Sequence, residues 1–205
     1  MVEDRSHPSD SGAAAIGTGG RLAELAATIE RQSYPPVHRW EPERSASIDM
    51  RIARDGTWYY RGSPIPRKSM VKLFSSVLRR DRDAYYLVTP AEKLQIQVDD
   101  APYVAVELES EVRGGEQAIA FRTQTDEYVI ADAEHPIYVI TDPETGEPAP
   151  YVRVRDGLDA LILRPVFYEL VDMAERYRDG TRETLGVWSR ASFFPLGSLE
   201  PGESG

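Results

Sequence analysis

Two stretches of this 205-residue sequence place cations and aromatic rings at spacings suited to holding an anion. In the first, Asp55-Gly56-Thr57-Trp58-Tyr59-Tyr60-Arg61-Gly62-Ser63-Pro64-Ile65-Pro66-Arg67-Lys68, an aromatic strand runs through a Gly/Pro turn into a basic helix start. The first amides of a helix lack intrahelical partners, and the helix dipole favours negative charge there. Ile65 precedes a proline and caps poorly, so the helix is expected to begin at Pro66 and to offer the amides of Arg67 and Lys68. The alternative is a cap by Ser63, with both cations simply solvated. In the second stretch, Val152 and Val154 point to one side of a strand and Tyr151, Arg153 and Arg155 to the other. Arg164 then heads a second helix, with Tyr168 one turn further on. Guanidinium groups grip phosphate or carboxylate bidentately, and aromatic rings stack on bases. The same arginines can instead pair with Glu169, Asp159 or the acidic middle of the chain. The candidate ligand-binding residues are therefore Trp58, Arg61, Arg67, Lys68, Arg153, Arg155, Arg164 and Tyr168, with core packing as the competing role for Trp58 and Tyr60.

Catalytic signatures are weak by comparison. His7 falls in an N-terminal tail, His38 in a connection, and His135 before a proline at a strand entry, so no histidine pair has metal-ligand spacing. Asp99-Asp100 suits a turn better than an acid–base pair. A phosphate-binding P-loop, a Gly-x-Gly-x-x-Gly fingerprint and a Gly-x-Ser-x-Gly elbow are all missing, and Gly17-Thr18-Gly19-Gly20 has no strand before it. No catalytic residue, metal or cofactor is assigned, and whether there is catalysis stays open.

Composition bounds the setting. The chain is 41% hydrophobic and 28% charged, enough to bury a real core, and has no cysteine, which removes disulfides and thiol-based metal chemistry. No basic segment leading into an apolar run opens the sequence, and no apolar stretch approaches bilayer length, so a cytoplasmic location is expected. The net charge of −10 argues against duplex nucleic acid and anionic membrane as partners. The charge is unevenly spread: Arg51–Arg82 carries nine basic and two acidic residues, and Asp83–Pro150 three basic and fifteen acidic. This basic island either pairs with the acidic segment or faces a partner.

The elements that must position these residues follow from periodicity. A short helix is expected over Arg21–Gln32, stopped by Tyr34-Pro35-Pro36, and a hairpin through Asp55-Gly56. A helix from Pro66 with Met70, Val71, Phe74, Val77 and Leu78 inward comes next, then strands at Ala84–Val88 and Leu94–Val98. The second half reads as strands at 103–108, 117–122, 128–131, 137–141, 151–155 and 158–163, a helix from Pro165 to about Arg178, and closing strands at 183–188 and 192–195. Both halves share the order strand, Asp-Gly turn, strand, proline-opened helix, strands, which points to an internal duplication. The expected organisation is a disordered tail (1–20), an N-terminal α+β domain (21–100), a larger, β-rich α+β domain (101–199) and a second disordered tail (200–205). A cleft between two such units is a preferred place for a ligand.

Several blocks together resemble a known family. Asp55-Gly56-Thr57-Trp58, Gly62-Ser63-Pro64-Ile65, Leu87-Val88-Thr89-Pro90-Ala91-Glu92, Asp100-Ala101-Pro102-Tyr103, His135-Pro136 and Pro150-Tyr151-Val152-Arg153-Val154-Arg155 look like those of the bacterial domain-of-unknown-function family 1285. The resemblance spans roughly Pro35 to Gly197. It implies an α+β fold of two duplicated domains, the second superficially similar to pleckstrin-homology folds. It further implies an anionic or nucleotide-like ligand at the domain interface and a role in signal transduction. A protein-interaction module without a small ligand is the main alternative, and a phosphoester hydrolase a further one.

Overall fold

A computed structural model describes residues 21–180 and 182–199; both expected disordered tails lie outside the described residues. The chain opens with helix α1 (Arg21–Arg31) and a single 3-10 turn at Val37–Arg39. The first unit follows as β1 (Arg44–Ile52), β2 (Trp58–Tyr60), β3 (Ser63–Pro64), α2 (Lys68–Ser76), β4 (Leu78–Asp81), β5 (Ala84–Val88) and β6 (Glu92–Val98). The second unit has β7 (Tyr103–Arg113), β8 (Glu116–Thr123), β9 (Tyr128–Ile130), β10 (Ile137–Thr141), β11 (Pro148–Arg155), β12 (Leu158–Ile162) and α3 (Arg164–Asp172). Strands β13 (Glu175–Asp179), β14 (Arg182–Ser189) and β15 (Ser192–Leu199) then form a small sheet of their own.

The fold is α+β and contains two related units. Their sheets have the orders β3-β2-β1-β6-β5-β4 and β9-β8-β7-β12-β11-β10. From its first strand each sheet runs outward for three strands, crosses to the far edge and returns for three more. The sixth strand lies parallel to the first, and every other neighbouring pair is antiparallel. Identical pairing patterns repeat in register with β1–β6 against β7–β12. The helices fall at different points of this order: α2 makes the crossover of the first unit, whereas α3 follows the sixth strand of the second.

The crossover of the second unit is only the six residues between Ile130 and Ile137, although β9 and β10 sit on opposite edges. Ala131 is still hydrogen-bonded to Ile119 of β8 and Pro136 to Arg153 of β11, so the free span is the stretch from 131 to 136, at most ~18 Å. Five strand spacings of ~4.8 Å would need ~24 Å across a flat sheet. The connection is tighter still, because one carboxylate oxygen of Asp132 accepts hydrogen bonds from the amides of Glu134 (2.9 Å) and His135 (2.8 Å). The sheet therefore has to curl until its two edges approach.

One core serves both units. Met50, Ile52, Trp58, Leu78, Leu87 and Ile96 of the first are continuous with Tyr103, Ile119, Phe121, Ile137, Leu158 and Leu170 of the second. Trp58 is 1% exposed and stacks on Phe74, whose ring centroid is 6.2 Å away. Gly56 (φ +83) lets the Asp55-Gly56 turn seat against the second unit, since a Cβ there would come within 2.7 Å of Val104. The small sheet is tied on by Ser189, whose hydroxyl accepts from the amide of Ile119 (2.9 Å) and donates to the carbonyl of Ala131 (2.6 Å).

Both helices are shorter than their periodicity predicts. Val77 and Leu78 continue the apolar spacing of α2, but Leu78 pairs with Leu87 in β4 and is completely buried there. Residues 175–179, expected to extend α3, form β13 and pair with β14; Tyr177 packs on Phe193 rather than facing inward from a helix. In each case pairing with the next strand, only two residues further on, outweighs a helical pattern near its end. The closing strands extend neither large sheet.

Because the core is continuous, Trp58→Ala is expected to cost about 3–5 kcal/mol. Denaturation followed by tryptophan fluorescence in the wild type and by far-UV circular dichroism in both proteins should show one coincident transition. Separate transitions for the two units would contradict a shared core.

Candidate functional site

The two units meet around Arg155, at the end of β11. Its register against β12 shifts between Arg153 and Arg155, and this bulge separates side chains that simple alternation would put on one face. Arg153 pairs with Asp159, to which Arg80 of the first unit also turns, at 3.8 Å. Arg155 instead enters the junction. Its Nη2 donates to the carbonyl of Ser75 at the end of α2 (2.7 Å) and to the Tyr103 hydroxyl (2.9 Å), and Tyr103 itself donates to the Ser75 carbonyl (3.2 Å).

Glu127 supplies the opposing charge, 3.5 Å from Arg155 Nε, and accepts from the hydroxyls of Tyr34 (3.1 Å) and Ser75 (3.4 Å). The Arg155 guanidinium lies 4.3 Å over the Tyr34 ring, a cation–π contact strengthened by the loss of water. The Arg155 side chain is nine-tenths buried, yet its Nε and Nη1 have no hydrogen-bond partner. Burial works against the guanidinium charge, but the Tyr103 oxygen, Glu127 and Tyr34 together hold its pKa above the ordinary value. Burial, reinforced by Glu127, raises the Tyr34 phenol, and burial raises the enclosed Tyr103 phenol well above its usual range.

Beside this network lies a cavity of about 590 Å³, lined by α1, β9, the crossover and the end of β11. It occupies the crossover position of the second unit, where the first unit carries α2. Tyr34, Tyr128 and Ile130 give it aromatic and apolar wall, and Arg155, Arg190, His135, Asp132 and Asp156 give it polar wall. His135 Nδ1 sits 3.0 Å from Asp132. Burial opposes the Asp132 charge, but the His135 and Glu134 amides and the His135 ring bring its carboxyl below the ordinary value. On the far side, the Gln32 amide closes over β9: Nε2 donates to the carbonyl of Tyr128 (2.9 Å) and Oε1 accepts from its amide (2.7 Å).

Of the eight candidates from sequence, Arg155 alone lines this cavity. Trp58 is core. Arg61 is exposed, lies 5.3 Å over the Tyr60 ring and has positive φ in the turn after β2. Arg67 caps α2 without a side-chain hydrogen bond, so the helix begins at Lys68 rather than Pro66; both cations face solvent. Arg153 is committed to Asp159. Exposed Arg164 pairs with Glu147 (3.3 Å), and Tyr168 is 62% exposed. The eight do not converge. Tyr34, Ser75, Tyr103 and Glu127 carry no local sequence signal for this role, since it arises from contacts between segments far apart in the chain. His135 stands out in sequence only as the one histidine inside a folded segment.

Among the described residues no group of three or more His, Asp or Glu side chains could hold a metal ion, and no helix is long and apolar enough to cross a membrane.

A phenol whose pKa is raised by folding contributes stability below its unfolded value, 10.0, and loses it as pH climbs toward the folded value. The melting temperature is therefore expected to fall as pH rises above 10, and less steeply in Tyr34→Phe than in wild type. Equal slopes would show that Tyr34 is not protected in the fold.

The chain matches the family models described as "Domain of unknown function (DUF1285), N-terminal domain" over residues 35–101 and "Protein of unknown function (DUF1285), C-terminal domain" over 102–196. Helix α1 and Tyr34 precede the matched span. No curated protein matches the chain. Among solved structures, a DUF1285 family protein from Silicibacter pomeroyi DSS-3 is 50% identical, with a TM-score of 0.75 over 85% of this chain and 95% of that one. Another from Shewanella baltica OS155 is 26% identical, with a TM-score of 0.48 over 61% of this chain and 91% of that one. Matched along most of its length by both halves of one family, the chain belongs to the DUF1285 family.

Proposed function

We propose that this is a cytoplasmic binding protein that takes a small anionic or nucleotide-like ligand in the cavity beside Arg155 and relays its presence through the junction of the two units. One observation carries the reading: Arg155, nine-tenths buried and with no hydrogen bond on Nε or Nη1, is among the residues lining the cavity and also grips α2 of the other unit. Burying such donors without hydrogen bonds is costly, and an anion toward which the guanidinium turned would relieve that cost. Since Arg155 binds the Ser75 carbonyl, a ligand that redirects the guanidinium alters the contact between the units, which suits a role in signal transduction. The volume falls in the range of small-molecule sites.

Calorimetric titration with nucleotides and with small carboxylates tests this. At least one anion should bind, and at about 100 times its Kd it should stabilise the fold by about 2.7 kcal/mol. Arg190→Ala should weaken binding about tenfold, whereas Arg164→Ala, outside the cavity, should not. If neither class binds, the reading is ruled out.

A second reading, a protein-interaction surface, has its own support on α2. Leu73 is 63% exposed and Met70 39%, and among the described residues Arg61, Arg67, Lys68 and Lys72 form no ion pair, in a chain of net charge −10. Apolar anchors beside unpaired cations fit an acidic protein segment. Leu73→Glu with Lys68→Glu should abolish capture of such a partner while leaving stability within about 0.5 kcal/mol. Unchanged capture would dismiss this surface.

A further inference from the structure

The edge along which the cavity runs narrows its ligand, an inference that rests on the cavity reading above. β9 is the outer strand of its sheet. Its ladder with β8 brings Glu127 and Val129 opposite Thr123 and Phe121, with the Glu127 carbonyl accepting from the Thr123 amide (2.8 Å). Antiparallel alternation then turns the N–H and C=O of Tyr128 and Ile130 away from the sheet. At Tyr128 both outward groups are taken by a single amide, the Gln32 side chain, which donates and accepts just as a peptide bond in an added strand would. Ile130, two residues on, has the same outward orientation and stands in the cavity wall.

The charges set the other end of the ligand. Arg155 and Arg190 share the cavity lining with Asp132 and Asp156, and Glu127 already offsets part of the Arg155 charge. Asp132 is occupied by two loop amides and the His135 ring. A wall so nearly neutral suits a single carboxylate far better than a phosphate monoester, which carries about −1.5 to −2 charges at pH 7. Between the two ends, Tyr34 and Val154 offer an aromatic and apolar surface.

We propose that the ligand is a peptide-like carboxylate: an acyl-amino acid or peptide end whose amide pairs with Ile130 and whose free carboxylate meets Arg190 beside the buried charge of Arg155. Recognition would combine strand addition with capture of a terminal carboxylate, and Gln32 shows that this edge holds an amide through both of its groups.

The experiment titrates the full chain with N-acetyl-alanyl-leucine, with its C-terminal carboxamide, with the analogue N-methylated at the leucine amide, and with adenosine monophosphate. The free acid is expected to bind at least tenfold tighter than the carboxamide and the N-methyl analogue. That affinity should drop about tenfold in Arg190→Ala and hold in Arg164→Ala. Equal binding of acid and carboxamide overturns the proposal, as does equal binding of the N-methyl analogue. Nucleotide binding without binding of the free acid also overturns it and leaves the cavity reading standing. Failure of all four probes sinks both.

Discussion

A guanidinium sealed between two sheets governs this structure. Removing such a group from water is tolerable only if nearby oxygens replace its hydration, and around Arg155 those oxygens come from three separate places. Ser75 lends a carbonyl from the end of α2, Tyr103 a hydroxyl from the first strand of the second unit, and Glu127 a carboxylate from the turn before β9. Each partner fixes one element relative to the others. The end of α2, the entry of β7, the β8–β9 turn and the end of β11 are thereby tied together. The bulge in β11 is what allows it, by aiming Arg155 inward while Arg153 turns to Asp159.

Duplication explains why a cavity lies next to this arginine. The two large sheets share one strand order and one pattern of parallel and antiparallel pairs, so they pose the same geometric problem at the crossover from third to fourth strand. The first unit fills that place with α2, whose Phe74 packs on Trp58. The second crosses in six residues and leaves a space instead. Helix α1 partly covers it, although α1 precedes the first unit in sequence. Its following residues Gln32 and Tyr34 cap the edge of β9 and cover the guanidinium. An open strand edge invites uncontrolled pairing, and a side-chain amide on Tyr128 limits that exposure without adding a strand.

The charge pattern divides along the same lines. Part of the basic island is used internally: Arg79 holds Asp81 within the first unit, Arg51 holds Asp99, Arg54 holds Asp100, and Arg80 turns toward Asp159. The last three contacts reach the linker or the second unit. The remainder, on and around α2, faces solvent. Internal pairing therefore accounts for part of the island, and its other cations are solvent-facing.

Much was legible in sequence because it depends on neighbours a few residues apart. Alternation marked most strands, Asp55-Gly56 and Asp156-Gly157 marked two hairpin turns, and the apolar spacing of residues 22–29 marked α1. The duplication is real, but the repeated order read from sequence was not its register: Asp55-Gly56 joins the first and second strands of one unit, Asp156-Gly157 the fifth and sixth of the other. Local signals conflicted at the ends of α2 and α3, where tight hairpins with the next strand claimed residues that a helix would also have accepted. The site was the least legible part. Arg155 could be named from its place on a strand, but identical reasoning named Arg153, and only the bulge separates their fates. Tyr34, Tyr103 and Glu127 are unremarkable where they stand in the chain. Composition and periodicity determined the class of fold and the cations available to it. Which cation became buried, and what open space was left beside it, was decided by tertiary contacts, because burial and pairing depend on segments that the sequence holds far apart.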